Sequence, residues 1–127
     1  MTGLGLTAVG VGAVLGAWLR WGLGSWLNPV VPEVPLGTLA ANLVGGFAIG
    51  AAIAFFARYP GIAPELRLAI ITGFLGALTT FSTFSAESVT LIARGQYAWA
   101  ALHSFGHLAG SIAATALGLV AFRFVLR

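Results

Sequence analysis

The 127-residue chain contains no cysteine, no aspartate and no lysine, and only 7% of its residues are charged. Without cysteine, disulfide bonds and thiol chemistry are excluded. Soluble domains carry about a quarter charged residues, whereas this chain is 59% hydrophobic. The sequence therefore predicts an integral membrane protein, in which residues 1–127 form a single transmembrane domain with the lipid bilayer as a partner.

The few charges also limit the function classes. The arginines and glutamates give a net charge of +3, dispersed over predicted loops and helix ends, so no nucleic-acid-binding surface is expected. No nucleophile has an evident oriented base. A metal site on His103 and His107 would need further ligands, and no carboxylate is expected near them. We therefore predict that the protein is not an enzyme.

Four apolar segments have the length of about 20 residues that a bilayer-crossing helix requires. They are Leu4–Leu27, Pro35–Ala57, Leu66–Ile92 and Ala98–Phe124. Trp and Tyr residues lie near the predicted ends, as interfacial anchors do. The predicted fold is an all-α membrane protein of four transmembrane helices, with both termini on one side.

The arginines bear on orientation, because the side richer in Lys and Arg usually faces the cytoplasm. One side of the predicted bundle holds Arg58, Arg67, Arg123 and Arg127, and the other holds Arg20 and Arg94. This bias is weak, so insertion in both orientations is plausible and an antiparallel homodimer is expected. Four helices are also few to enclose a pore, which favours an oligomer.

Small and polar residues mark two further features. Glycine pairs four residues apart are expected to let helices pack closely: Gly12/Gly16, Gly46/Gly50 and Gly106/Gly110. The segment Gly73–Ser85 has two glycines, five hydroxyl side chains and three phenylalanines but no charge. Within a membrane, non-helical backbone is tolerated only where protein or water forms hydrogen bonds with its N–H and C=O groups. The third helix is therefore predicted to be broken near its middle and to line a cavity.

Polar residues inside the other spans suggest a lined pathway. Thr38 and Asn42 share one face of the second helix. On the fourth helix a stripe about 18 Å long repeats every four residues, through His103, His107, Ser111 and Thr115. A hydrogen bond between helices would account for the presence of any one of these hydroxyl groups. The regular repeat of four polar residues favours the lining of a pathway.

The chemistry of this lining favours an anion. Neutral donors can replace the water of a small anion, and the buried acids typical of cation or proton routes are missing. The weakly positive ring edges of Phe81 and Phe84 would suit an anion, although packing is the simpler interpretation. Glu87 is an intramembrane acid that either functions there or reaches the interface, and Arg20 either snorkels or attracts anions at a vestibule.

Three stretches carry a resemblance to a known family: Gly16-Ala-Trp-Leu-Arg20, Gly37-Thr-Leu-Ala-Ala-Asn42 and Gly73-Phe-Leu-Gly-Ala-Leu-Thr-Thr-Phe-Ser-Thr-Phe84. With them the chain resembles the Fluc (CrcB) fluoride channels of bacteria along essentially its full length. The resemblance implies a passive fluoride exporter of the inner membrane that reduces cytoplasmic fluoride toxicity. It also implies an antiparallel, dual-topology homodimer with two pores.

The resemblance implies roles for individual residues. Phe81 and Phe84 would contact fluoride, and Asn42 would be the pore asparagine of the second helix. The remaining pore positions would be Ser82, Thr83, Ser111, Thr115 and, on the same stripe, His107. Some relatives have a tyrosine in place of His103, which leaves the roles of both histidines open.

A structural sodium ion is the one cofactor that the resemblance implies. Backbone carbonyls of Gly76 and Thr79, at the break in the third helix, would hold it at the dimer interface. Two other functions agree less well with the sequence. A small multidrug exporter coupled to protons needs a carboxylate in its first helix, and Leu4–Leu27 contains none. A purely structural assembly subunit would leave the polar stripe without a purpose.

Overall fold

The computed structural model describes residues 1–127 and contains four helical spans that are long and apolar enough to cross a membrane. These spans are Gly3–Val30, Leu36–Arg58, Pro64–Ala93 and Tyr97–Val125. Their ends lie within a few residues of the predicted ones. The prediction of an all-α, multi-pass membrane protein is therefore confirmed.

Three of the spans are built on continuous α-helices, and the third is composite. The α-helices are α1 (Gly3–Leu27), α2 (Leu36–Arg58), α3 (Pro64–Arg67), α4 (Gly76–Leu78), α5 (Phe81–Ala93) and α6 (Tyr97–Val125). A π-helical segment, Leu68–Leu75, joins α3 to α4. Between α4 and α5, Thr79 and Thr80 have extended backbone dihedrals. The third span is thus interrupted at two residues, with a modest bend.

Close backbone contact holds α1 against the first half of the third span (residues 64–78). A Cβ atom added at Gly12 would collide with the carbonyl of Ala69, and one added at Gly16 would collide with the carbonyl of Phe74. Both glycines are buried. Since no side chain larger than hydrogen fits there, this pair is a packing contact, as the spacing predicted.

The second predicted pair has the same role between α2 and α6, but only one glycine of the third pair does. Gly50 lies against the backbone of α6 at Thr115, and Gly46 approaches Ser111. A Cβ atom on Gly110 would collide with the Leu43 side chain of α2, whereas one on Gly106 would meet no neighbouring atom within 4 Å, so the prediction holds for Gly110 but not for Gly106. The glycine of α6 that meets α2 backbone is Gly118, because the helices approach closely nearer to that end of α6.

Candidate functional site

The interruption of the third span is held by Asn42, a buried residue of α2. Its Oδ1 accepts a hydrogen bond from the Thr80 N–H (2.7 Å), and its Nδ2 donates to the Thr80 carbonyl (3.0 Å). In a continuous helix the Thr80 N–H would donate to the carbonyl of Gly76, four residues earlier. The Asn42 amide thus pairs backbone groups that would otherwise be unsatisfied within the membrane.

Two more side chains form hydrogen bonds with backbone groups at the end of α4 and at the start of α5. Arg20 of α1 donates from Nε to the carbonyl of Ala77 (3.0 Å), one of the carbonyls at the end of α4. Thr80 caps α5, because its Oγ1 accepts from the N–H of Thr83 (3.1 Å). The sequence pattern Thr-x-x-Thr before a helix could have indicated this cap.

The carbonyls of Gly76 and Thr79 lose their regular helical donors at the interruption. The N–H groups four residues later, on Thr80 and Thr83, donate instead to Asn42 and to the Thr80 hydroxyl. Gly76 and Thr79 also line one small cavity of about 150 Å³. The complete lining of this cavity is Gly45, Ile49, Ile71, Leu75, Gly76 and Thr79.

A larger cavity of about 270 Å³, here called the aromatic cavity, lies beside the interruption between α2, α5 and α6. Its lining contains no charged side chain. The lining residues are Asn42, Gly46, Thr79, Thr80, Phe81, Phe84, His107, Leu108, Ser111 and Ile112. The structure therefore brings together five of the residues that the sequence predicted for a pore: Asn42, Phe81, Phe84, His107 and Ser111.

Aromatic rings form one wall of this cavity. The rings of Phe81 and Phe84 meet edge to face, with centroids 5.3 Å apart. The Phe84 ring stacks on the imidazole of His107, with centroids 4.7 Å apart and planes inclined by 26°. Phe81 is 74% exposed in the single chain, so the cavity is open to the outside of the bundle at that residue.

Three predicted pore residues lie outside the aromatic cavity. Ser82 is exposed, with its Oγ 3.3 Å from the Thr80 hydroxyl. Thr115 donates to the Ser111 carbonyl of its own helix (2.9 Å). Thr83 lines a second cavity of about 350 Å³, the arginine cavity.

The arginine cavity contains the predicted vestibule residue, Arg20. Its lining residues are Arg20, Trp21, Gly24, Ser25, Asn28, Thr38, Thr80 and Thr83. Thr80 lines both this cavity and the aromatic cavity. Thr80, at the interruption of the third span, therefore lies between the two cavities.

A chain of polar side chains runs behind the aromatic wall. The Thr38 hydroxyl donates to Glu87 Oε1 (2.6 Å), and Glu87 Oε2 lies 3.2 Å from Nε2 of His103. The rings of His103 and His107 are 4.4 Å apart, and His107 Nδ1 lies 2.9 Å from Nδ2 of Asn42.

The expectation that no carboxylate lies near the two histidines is wrong, because α5 packs against α6 with Glu87 facing His103. A signal for this was present in the sequence. Glu87 follows Phe84 by three residues, and residues at that spacing share a helix face. If Phe84 faces the stripe of α6, Glu87 faces it too.

Comparison with known proteins places this architecture in a family. Residues 7–119 match the family described as CrcB-like protein, Camphor Resistance (CrcB). The chain is 60% identical over 118 residues, 93% of its length and 95% of the relative's, to the "Fluoride-specific ion channel FluC" of Thiobacillus denitrificans. It is also 60% identical over 120 residues, 94% of each chain, to the protein of the same name from Nitrosospira multiformis. The chain therefore belongs to the CrcB family.

Proposed function

We propose that this protein is a fluoride-selective channel through which fluoride leaves the bacterial cytoplasm passively across the inner membrane. The observation that carries the proposal is the aromatic cavity, which combines neutral hydrogen-bond donors with phenyl rings and has no charged lining residue. Relatives at 60% identity over nearly the whole chain are named fluoride-specific ion channels. The protein is an ion channel and not an enzyme in this proposal.

The lining suits a small anion for two physical reasons. Ser111 and the neutral His107 imidazole can supply donors to an ion that has lost water, while no carboxylate in the lining would attract cations. The π face of Phe84 is stacked on His107, which leaves its weakly positive edge for an anion. Phe81 would present a second such edge beside it.

A path through the protein follows from the two cavities that share Thr80. Fluoride would enter the arginine cavity, where Arg20 supplies a positive charge and Thr83 a hydroxyl. It would then pass Thr80 and Ser82 into the aromatic cavity. Beyond that cavity, Ser111 and Thr115 would continue the path along α6. Arg20 is fixed by its bond to the Ala77 carbonyl, so its charge is held at the mouth.

The proposed active form is an antiparallel, dual-topology homodimer with two pores. A single chain leaves Phe81 largely exposed and the aromatic cavity open beside it, and a second copy would close that opening. The arginine distribution favours neither orientation strongly. Cysteines introduced singly into this cysteine-free chain allow crosslinking between copies, and exclusively parallel pairs would contradict the arrangement.

A sodium ion at the dimer interface fits the residues present. The carbonyls of Gly76 and Thr79 lack their helical donors and border one cavity, and carbonyls of interrupted membrane helices bind sodium well. The ion would supply a positive charge that fixes these carbonyls and the partner's equivalents. Replacement of sodium by N-methylglucamine should lower the unfolding temperature of the dimer, and an unchanged temperature would count against the site.

The function is tested by fluoride efflux from liposomes that contain the purified protein. We expect rapid loss of fluoride and little loss of chloride from the same vesicles, measured with ion-selective electrodes. Protein-free liposomes control for leakage, and size-exclusion chromatography before reconstitution establishes that the protein is folded. Absence of fluoride efflux from folded protein would overturn the proposal.

A further inference from the structure

Three side chains behind the aromatic cavity have buried polar atoms without a hydrogen bond. Glu87, His103 and His107 bring one ligand atom each to within 4.8 Å of one another. His103 is 2% exposed and His107 is 3% exposed. Four buried atoms of this group have no hydrogen bond: Glu87 Oε2, both ring nitrogens of His103, and His107 Nε2. Buried polar atoms are normally paired, so their convergence points to a ligand.

We propose that these three residues form a binding site for a divalent first-row transition-metal ion such as Zn²⁺, held between α5 and α6. Two imidazoles and one carboxylate are a ligand set that zinc uses when it keeps a fourth position open for water. The Glu87 carboxylate offsets part of the ionic charge at a site that is otherwise neutral. Imidazole ligands select a transition metal over sodium, which prefers oxygen.

One of the three distances between the ligand atoms already fits a metal ion, and the other two are at most 4.8 Å. Ligand atoms around a tetrahedral ion at zinc–ligand distances lie about 3.4 Å apart. Glu87 Oε2 and His103 Nε2 are already 3.2 Å apart without the alignment of a hydrogen bond. The Thr38 hydroxyl holds the other carboxylate oxygen, Oε1, at 2.6 Å. Such a bond orients a ligating carboxylate and leaves Oε2 free for the metal.

Binding at His107 would disturb the site next to it. The two bonds between Asn42 and the Thr80 backbone fix the amide orientation, so Nδ2 of Asn42 donates to Nδ1 of His107. The neutral imidazole therefore carries its proton on Nε2. A metal on Nε2 requires this proton to move to Nδ1, where it would face the Asn42 donor. Zinc would thus break the 2.9 Å contact and displace the amide that holds the interruption.

Direct binding is the first test, and it is independent of ion transport. Protein purified without a polyhistidine tag is titrated with Zn²⁺ in detergent by calorimetry. We expect one ion per chain, with affinity lowered about tenfold or more by Glu87→Gln and by His103→Gln. Glu65→Gln, which removes a carboxylate at the start of α3, is the matched control and should bind zinc like the parent chain. Thr38→Val should weaken binding by removing the oriented Oε1 contact.

The second test concerns the effect of the ion, and this part rests on the proposed channel function. Zn²⁺ should slow fluoride efflux from liposomes that contain the parent protein but not from those that contain His103→Gln. Efflux without zinc measures the channel separately, so failure of the channel is distinguished from failure of the metal site. Absence of stoichiometric binding, or equal binding by the parent, Glu87→Gln and His103→Gln, would overturn the site. Binding without slower efflux would overturn its coupling to Asn42.

Discussion

The two halves of the third span differ in how they are packed. The first half, residues 64–78, buries Gly73, Leu75 and Leu78, and it meets α1 backbone to backbone at Gly12. The second half, α5, buries only Leu91. The first half is therefore anchored by tight contact, whereas the second half supplies the phenyl rings of Phe81 and Phe84 and the hydroxyl of Thr83 to the cavities.

This difference shows how so few helices can hold side chains in place around a cavity whose lining carries no charge. Backbone contact through glycine holds α1 and the first half close together, which fixes the position at which the third span stops. Asn42 then sets where α5 begins, through its two bonds to Thr80. Functional side chains on α5 are thereby positioned by a rigid neighbour, as a precise binding site requires.

Replacing Asn42 should have the largest effect, because it removes the link between the two halves. Asn42→Leu leaves the N–H and carbonyl of Thr80 without partners at membrane depth. Each unpaired buried group costs about 1–3 kcal/mol, so a loss of about 2–6 kcal/mol in the free energy of unfolding is expected, together with loss of fluoride flux. Equilibrium unfolding in detergent measures the first effect, and liposome efflux measures the second.

Asn42→Asp is the matched control for that variant. It keeps the acceptor for the Thr80 N–H but loses the donors to the Thr80 carbonyl and to His107. Its stability should therefore lie between those of the parent and the leucine variant. If Asn42→Leu unfolds like the parent, the two bonds to Thr80 do not hold the interruption.

Gly12→Ala should weaken only the packing of α1 against the first half of the third span, residues 64–78. The added methyl group would collide with the Ala69 carbonyl, and overpacking of this kind costs about 1–3 kcal/mol. Gly10 lies on the same helix with nothing within 4 Å of an added Cβ atom, so Gly10→Ala should be neutral or stabilising by up to about 1 kcal/mol. Thermal unfolding of both variants checks the contrast. Equal effects of the two substitutions would show that the contact with the Ala69 carbonyl does not decide the cost.

Phe84→Ala and Phe81→Ala should alter transport while the fold remains. Loss of an aromatic contact of about 1.4 kcal/mol corresponds to roughly tenfold lower flux. Both side chains are at least partly exposed, so the effect on unfolding should be smaller than that of Gly12→Ala. Phe105, which is 72% exposed on α6 and outside the cavity, provides the control. Flux in both variants equal to that of Phe105→Ala would remove the role of the ring edges.

The sequence predicted the fold better than the contacts of the site. The spans followed from apolar run lengths, and the glycine pairs of α1 and α2 followed from their spacing. The interruption was expected near the middle of the third helix, at Gly76 and Thr79, whereas Gly76 is helical and the extended residues are Thr79 and Thr80. Helix propensity alone did not locate it, because the partner that stabilises the interruption lies on α2.

Apolar run length and the thickness of a bilayer were enough to establish four spans, and the residue types of the lining were enough to favour an anion. These are local properties of the chain. The contacts between polar side chains, in contrast, join residues that are distant in the sequence. Asn42 reaches Thr80 across 38 positions, and Glu87 reaches His103 across two helices. Such contacts depend on the rotation and offset of neighbouring helices, which packing of all four spans together establishes.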